Sequence, residues 1–425
     1  MKTDSLTAQI ISLVKTYCKP AVVSALVKEL RTADAFERKL TKAVGRSGEK
    51  KFSLAESDTL DHLLTLCHTE LSEENNINVT LGIGDIFKNR GELARAEELY
   101  SLALAGAEQA GDEGLVAEAY LKRGDVFSRQ GKWEVCENDL DQSRKIYRKL
   151  NEHVAVGKVD NITGTNCAIQ GRLKQAQTYY RRALSSFERF EDARMTGTVL
   201  MNLGIVYNIL GQYEQALSQF QRALSFFEKV GDRQRLGELH HNMGMSYLCK
   251  GEYKQALSEF NRVGNLVSAS SSVNLCGLAS LGKANACFHL KDLRMALSFV
   301  HHALTCFTTS NDRLSIADSY KVKGMIHREM KKYSFASSYF QTSLRLNMEL
   351  KSQLNTGETY YEIGVLETMK KKPAEAKKAF EHAVECFKAV GARKDVDRTE
   401  RMLQSLKAAK KSMFPTKSSK GVHYK

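Results

Sequence analysis

The chain has 425 residues, 42% of them hydrophobic and 26% charged, with a formal net charge of +14 and only three prolines. That length holds two or three ordinary domains, and no stretch approaches the roughly 18 consecutive apolar residues of a membrane-spanning helix. The charge sits at the ends: residues 366–425 carry 16 Lys/Arg against 7 Asp/Glu, residues 1–50 carry 10 against 5, and the residues between are neutral, which excludes a continuous basic groove.

In chain order, MKTDSLTAQIISLVKTYCK holds Asp4 and lacks a small-residue cleavage site, so residues 1–17 read as an amphipathic helix rather than a signal peptide. The helix stops before Lys19-Pro20, because the residue preceding proline is pushed out of the α region. A second helix is expected from Pro20 to about Val44, with Val23, Leu26, Val27 and Leu30 on one face. After a loop at Gly45–Lys51, a third runs from Leu54 to about Glu70, with Leu60, Leu63, Leu64 and Cys67 as its stripe. Residues 1–73 thus form a helical cap, and Leu60 and Leu63 share the register of Phe220 and Ala223 further on, the mark of a degenerate repeat.

Beyond the cap the chain repeats. Its best-preserved copy, Gly197–Val230, reads GTVLMNLGIVYNILGQYEQALSQFQRALSFFEKV. Two helical patterns flank Gly211, so the stretch is a helix–turn–helix hairpin. Gly204 and Ala216 leave room for close approach, while Tyr207, Tyr213 and Phe220 fill the surrounding space. The Gly204 position recurs every 40 residues as Gly84, Gly124, Gly164, Gly204, Gly244, Ala284, Gly324 and Gly364. Seven residues on stands the turn (Gly91 through Gly251, then Lys291, Lys331 and Lys371). Twelve on is a small residue, and sixteen on a large one: Tyr100, Leu140, Tyr180, Phe220, Phe260, Val300, Phe340 and Phe380.

The connections keep the same register. Gly111, Asn151, Gly231, Asn311 and Gly391 suit the left-handed conformation that closes a helix, and the Asp after Gly111, Glu191, Gly231 and Asn311 is placed to cap the next helix. Ser268–Ser272 (SASSS) replaces this device once and reads as a connector. A final helix, residues 393–411, with Val396, Met402, Leu403 and Leu406 on one face, should cover the last repeat. Residues 412–425 are basic and too poor in apolar side chains to fold alone.

This pattern resembles the tetratricopeptide repeat over about residues 75–392. The resemblance implies an all-α, right-handed superhelical solenoid of antiparallel helix pairs, with eight repeats over residues 74–392. The 40-residue period is similar to the longer-helix arrays of Pins-type G-protein signalling modulators and of kinesin light chains. It also implies a concave face lined by first helices, at positions −6, −3, +1, +4 and +5 from the marker glycine. The ends of that face are mixed in charge, for example Asp318, Lys321, Met325, Arg328 and Glu358. Its centre is apolar: Met201, Ile205, His241, Met245, Leu248, Leu281 and Phe288, with Asn208 and Asn285 to meet a peptide backbone. These apolar positions serve either an amphipathic partner or packing between neighbouring repeats. The Lys-and-Asn carboxylate clamp of chaperone-binding members is missing, which argues against capture of an acidic C-terminal tail.

Catalytic devices are absent: there is no phosphate-binding glycine loop, no GxSxG and no HExxH. His240-His241 and His301-His302 do not chelate as pairs, since adjacent helical residues point apart. The nine cysteines lack zinc spacing and read as small buried hydrophobes of a reducing cytoplasm. The expectation is a non-enzymatic cytoplasmic adaptor, with cytoskeletal association open, that holds a protein partner and needs no metal or cofactor. The other reading is an acidic surface, microtubule or nucleic acid, held by Lys370, Lys371, Lys372, Lys377, Lys378, Lys410 and Lys411. Nucleic acid is disfavoured because the aromatics that would stack bases are used by the repeat core.

Overall fold

The structure is a computed structural model that describes residues 6–17, 20, 24, 71–267 and 272–413. Every element among the described residues is a helix. An opening helix, α1 (Leu6–Tyr17), precedes a run of helix pairs: α2 (Glu73–Asn89) with α3 (Leu93–Ala110), α4 (Glu113–Gln130) with α5 (Trp133–Lys149), and α6 (His153–Ile169) with α7 (Leu173–Arg189). There follow α8 (Ala193–Ile209) with α9 (Tyr213–Val230), α10 (Arg233–Lys250) with α11 (Tyr253–Leu266), and α12 (Val273–His289) with α13 (Leu293–Ser310). The last pairs are α14 (Arg313–Glu329) with α15 (Tyr333–Glu349) and α16 (Gln353–Met369) with α17 (Pro373–Ala389), before the closing α18 (Arg393–Met413). Two compact units divide the chain, Met1–Asn202 and Leu203–Lys425.

In the first unit α1 covers the open side of α2. Ile10 is buried in one cluster with Ile77 and Leu81, and Leu13 fills the space left by Gly82, where a Cβ would lie 2.7 Å from it. The expected helix at 54–70 and nearly all of the one at 20–44 lie outside the described residues.

What makes two helices a pair is the contact between the marker glycine and the large residue sixteen positions on. A Cβ on Gly204 would stand 2.4 Å from the Phe220 ring, and one on Gly84 2.5 Å from Tyr100. The same closeness recurs at Gly244 with Phe260 and Gly324 with Phe340. The glycine therefore makes room for an aromatic ring, not chiefly for Ala216. Where the marker is Ala284 its partner is Val300, both fully buried: one methyl gained on the first helix is matched by a smaller side chain on the second.

Turns close the helices with left-handed residues. Gly111, Gly131, Gly231 and Gly251 take φ of +71° to +81°, which glycine adopts without steric cost. Lys291, Lys331 and Lys371 adopt φ of 65°, 59° and 58° at turns where the earlier repeats use glycine. Asp112, Asp192, Asp232 and Asp312 each accept from the backbone N–H three residues on, at 3.0–3.2 Å, so the expected caps form. Glu152 makes no such bond. At the SASSS connection α11 ends early: Val267 turns extended (φ −126°, ψ 126°) and is buried, its side chain 2.6 Å from where a Gly237 Cβ would be. Residues 268–271 lie outside the described residues. So do 414–425, while α18 runs through Ser412 and Met413, the first residues of the expected tail.

Candidate functional site: a concave cavity in the second unit

On a first helix, residues at −6, −3 and +1 from the marker share one face, being three and four apart. In the second unit these positions from successive first helices converge. His241 and Met245 of α10, Leu278, Leu281 and Asn285 of α12, and Asp318, Lys321 and Met325 of α14 line one cavity of about 420 Å³. Glu358 and Glu362 of α16 and Asp395 and Arg398 of α18 complete it. The inner surface also curls toward its own beginning: Lys394 Nζ stands 3.2 Å from where a Cβ on Gly211 would be.

Of the nine inner-face residues expected to form a groove, His241, Met245, Leu281 and Asn285 lie on this cavity. Ile205 and Met245 are exposed. Asn208 accepts the Ser246 hydroxyl at 2.9 Å, so its amide is partly committed to the scaffold. Leu248 is half-buried and packs against the Ala256–Phe260 cluster. Met201 and Phe288 correct the expectation: they are 4% and 8% exposed. Phe288 belongs to the core of Ala284, Ala296, Val300 and Val322, because an apolar side chain at a helix–helix boundary gains by leaving water. Glu362, Asp395 and Arg398 were not singled out in the sequence. Arg398 lies at −6 from position 404, one period beyond Gly364, so continuing the register once more finds it.

The cavity has an apolar side and a charged side. Lys321 Nζ is 3.1 Å from Asp318 Oδ1 and also bridges Glu358, while Asn355 donates to Asp318 at 3.1 Å. Burial pushes the Asp318 carboxyl above its usual range, against the pull of Lys321. Burial acts against the Lys321 charge too, yet Asp318 and Glu358 together hold its pKa well above that of a free lysine. Arg328 Nη1 holds Glu362 at 2.5 Å, and Arg398 pairs with Asp395 at 3.2 Å while lying 4.2 Å over the Tyr361 ring. On the apolar side the His241 ring packs 5.6 Å from Phe260. Its Nδ1 is enclosed without a hydrogen-bond partner among the described residues, and burial lowers its pKa to about 4.

The first unit's inner face is different. Asp85 receives Lys122 at 2.5 Å and the Tyr100 hydroxyl at 2.8 Å, and Lys88 reaches Asp125 at 3.1 Å. Beneath them Arg123 grips Asp139 with two bonds of 2.7 and 3.0 Å. A separate hollow of about 320 Å³ between α5, α6 and α7 holds matched charges, Arg172 with Glu137; the Arg144–Asp141 pair (2.6 Å) reaches its rim through Asp141.

The remaining candidates scatter. His240 Nδ1 pairs with Glu259 at 2.7 Å and His302 with Ser280 at 2.8 Å. Among the described residues no group of three His, Cys, Asp or Glu side chains comes together as a metal site. No disulfide joins the described cysteines; Cys136, Cys167, Cys287 and Cys306 are buried and Cys249 is exposed. In the basic patch Lys370 pairs with Glu367 at 2.8 Å, Lys372 approaches Glu375 at 3.9 Å and Lys377 meets Glu381 at 3.4 Å, so much of its charge is answered locally. Lys371 sits in a turn and Lys378 borders a shallow hollow with Glu381 and Glu385. Lys410 and Lys411 are on α18, their side chains outside the described residues. No helix among the described residues is long and apolar enough to cross a membrane.

The tetratricopeptide repeat profile matches residues 115–189 and 195–263. Among curated proteins no sequence matches. Among solved structures, the apo form of the quorum sensor NprR from B. thuringiensis superposes with a TM-score of 0.62 at 14% identity, over 86% of this chain and 99% of that one. Aspartyl phosphate phosphatase F from Bacillus subtilis gives 0.54 at 14% identity, over 84% and 96%. The apo form of RapI gives 0.53 at 17% identity, over 65% and 98%. At such identities the likeness is one of fold. Residues 115–189 and 195–263 are thus similar to the tetratricopeptide repeat, within an all-helical solenoid of the kind those structures share.

Proposed function

We propose that the protein is a non-catalytic adaptor whose second unit holds a peptide or helix of a protein partner in its concave cavity. The observation that carries this reading is the convergence of −6, −3 and +1 side chains from successive repeats on one hollow. In a repeat array the core positions build the scaffold, and the inner positions, which differ from copy to copy, remain for recognition. Met245 is exposed on the cavity wall and belongs to no core cluster among the described residues, so it is a site for loss of binding without loss of fold. The unbroken 40-residue period supports placing the array with the longer-helix subclass.

The test is affinity capture from native cell extract with the wild-type chain and Met245→Asp, read by quantitative mass spectrometry. The expected outcome is at least tenfold depletion of the specific partner, about 1.4 kcal/mol of binding free energy, with far-UV circular dichroism unchanged. Undiminished recovery with a folded variant would sink the reading.

A further inference from the structure

We infer that the cavity is built for a basic side chain, lysine or arginine, carried by an otherwise apolar stretch of the bound segment. This rests on the reading above, and deepens it by naming the occupant's chemistry.

The first argument is charge. Four carboxylates line the hollow, Asp318, Glu358, Glu362 and Asp395. Glu362 and Asp395 have their own cations, Arg328 and Arg398. Asp318 and Glu358 share a single ammonium, that of Lys321, which is only 13% exposed. Among the described residues one of these two carboxylates is left without a cation of its own, on side chains 32% and 38% exposed, so an entering cation finds an acid to pair with. A ligand cation turns two acids and one base into two and two. Asn355 already donates to Asp318, and a neutral donor does not remove the surplus.

The second argument is independent of charge. His241 lines the cavity, and its Nδ1 is enclosed just behind the wall with no hydrogen-bond partner among the described residues. The ring is neutral at physiological pH, and a small rotation of the ring toward the hollow would offer that nitrogen to a donor as an acceptor. Ammonium and guanidinium groups are rich in N–H donors and have no acceptor, which matches what both sides of the hollow lack. The third argument is shape: Met245, Leu281 and Met325 form an apolar flank along which the methylene stem of a lysine or arginine buries while its head reaches the acids. An acidic segment would add to the surplus, and a purely apolar one would strand it in a drier site.

The experiment uses the full chain and fluorescein-labelled, C-amidated Ala-Leu-Xaa-Leu-Ala, with Xaa arginine, lysine, citrulline or glutamate. Citrulline keeps the shape of arginine without its charge. By fluorescence anisotropy, the arginine and lysine peptides should bind about tenfold or more tighter than citrulline, and glutamate weakest. The arginine–citrulline gap should close as salt is raised, and in Asp318→Asn/Glu358→Gln protein. If that variant does not fold, the salt titration of the wild type decides. His241→Phe keeps the ring contact with Phe260 and should weaken the arginine peptide several-fold. Equal binding of arginine and citrulline, or no binding of any probe, overturns the inference. If Met245→Asp still abolishes partner capture in that case, the adaptor reading stands alone; if it does not, both fall.

Discussion

At the scale of single residues, the marker glycines are defined by what stands against them. Replacing Gly204 by Ala improves helix propensity by about 1 kcal/mol, yet the new methyl would meet the Phe220 ring at 2.4 Å. Overpacking of this kind costs about 1–3 kcal/mol, so urea denaturation should show a net loss. Gly204→Ala with Phe220→Val should lose less than the sum of the two single changes, because that pairing is what Ala284 and Val300 already use. His241 gives a pH dependence. Its pKa falls from 6.5 to about 4 on burial; above pH 6.5 neither state binds the proton and its neutrality in the fold costs nothing. Between pH 6.5 and 4 the unfolded chain takes the proton first, so stability falls with pH and the loss is complete below about 4. Urea midpoints at pH 7, 5 and 4 should therefore slope less steeply in His241→Phe. The glycine and aromatic positions were legible in the sequence because a fixed spacing repeats them. The burial of Phe288 was not: +1 and +4 differ only in how a neighbouring helix covers them, and spacing does not report that.

At the scale of helices, ion pairs divide by burial. Asp139 is 2% exposed and takes two bonds from Arg123, whereas Glu97 meets Lys132 at 2.8 Å on the surface. Asp139→Ala leaves a guanidinium without its partner at the α4–α5 contact and should cost about 3–5 kcal/mol. Glu97→Ala should cost under about 1 kcal/mol, and thermal denaturation of the two variants side by side checks the contrast. Caps were readable wherever Asp follows a left-handed residue, since the device is local. The early end of α11 was readable only as a missing motif. That Val267 fills the hollow at Gly237 depends on a helix one turn of chain away, which no local pattern encodes.

At the scale of the whole molecule, the two units spend their inner faces differently. The first fills its own with Asp85, Lys88, Lys122 and Asp125 in mutual pairs; the second leaves a hollow. The alternation of helices and their period could be read from one end of the sequence to the other, whereas the part played by Asp395 and Arg398 depends on curvature summed over many repeats. That curvature has a mechanical consequence. The second unit brings Lys394 beside Gly211 across a stack otherwise joined repeat to neighbouring repeat, so it behaves as a coil spring whose cavity is its bore. Pulling on its two ends widens the bore through small rotations at every junction. An occupant that bridges α10 to α18 therefore resists extension, and tension favours its release. In optical tweezers the loaded second unit should yield at higher force than the empty one, with the cation-bearing peptide as the load. Equal yield forces would show that the occupant does not span the coil.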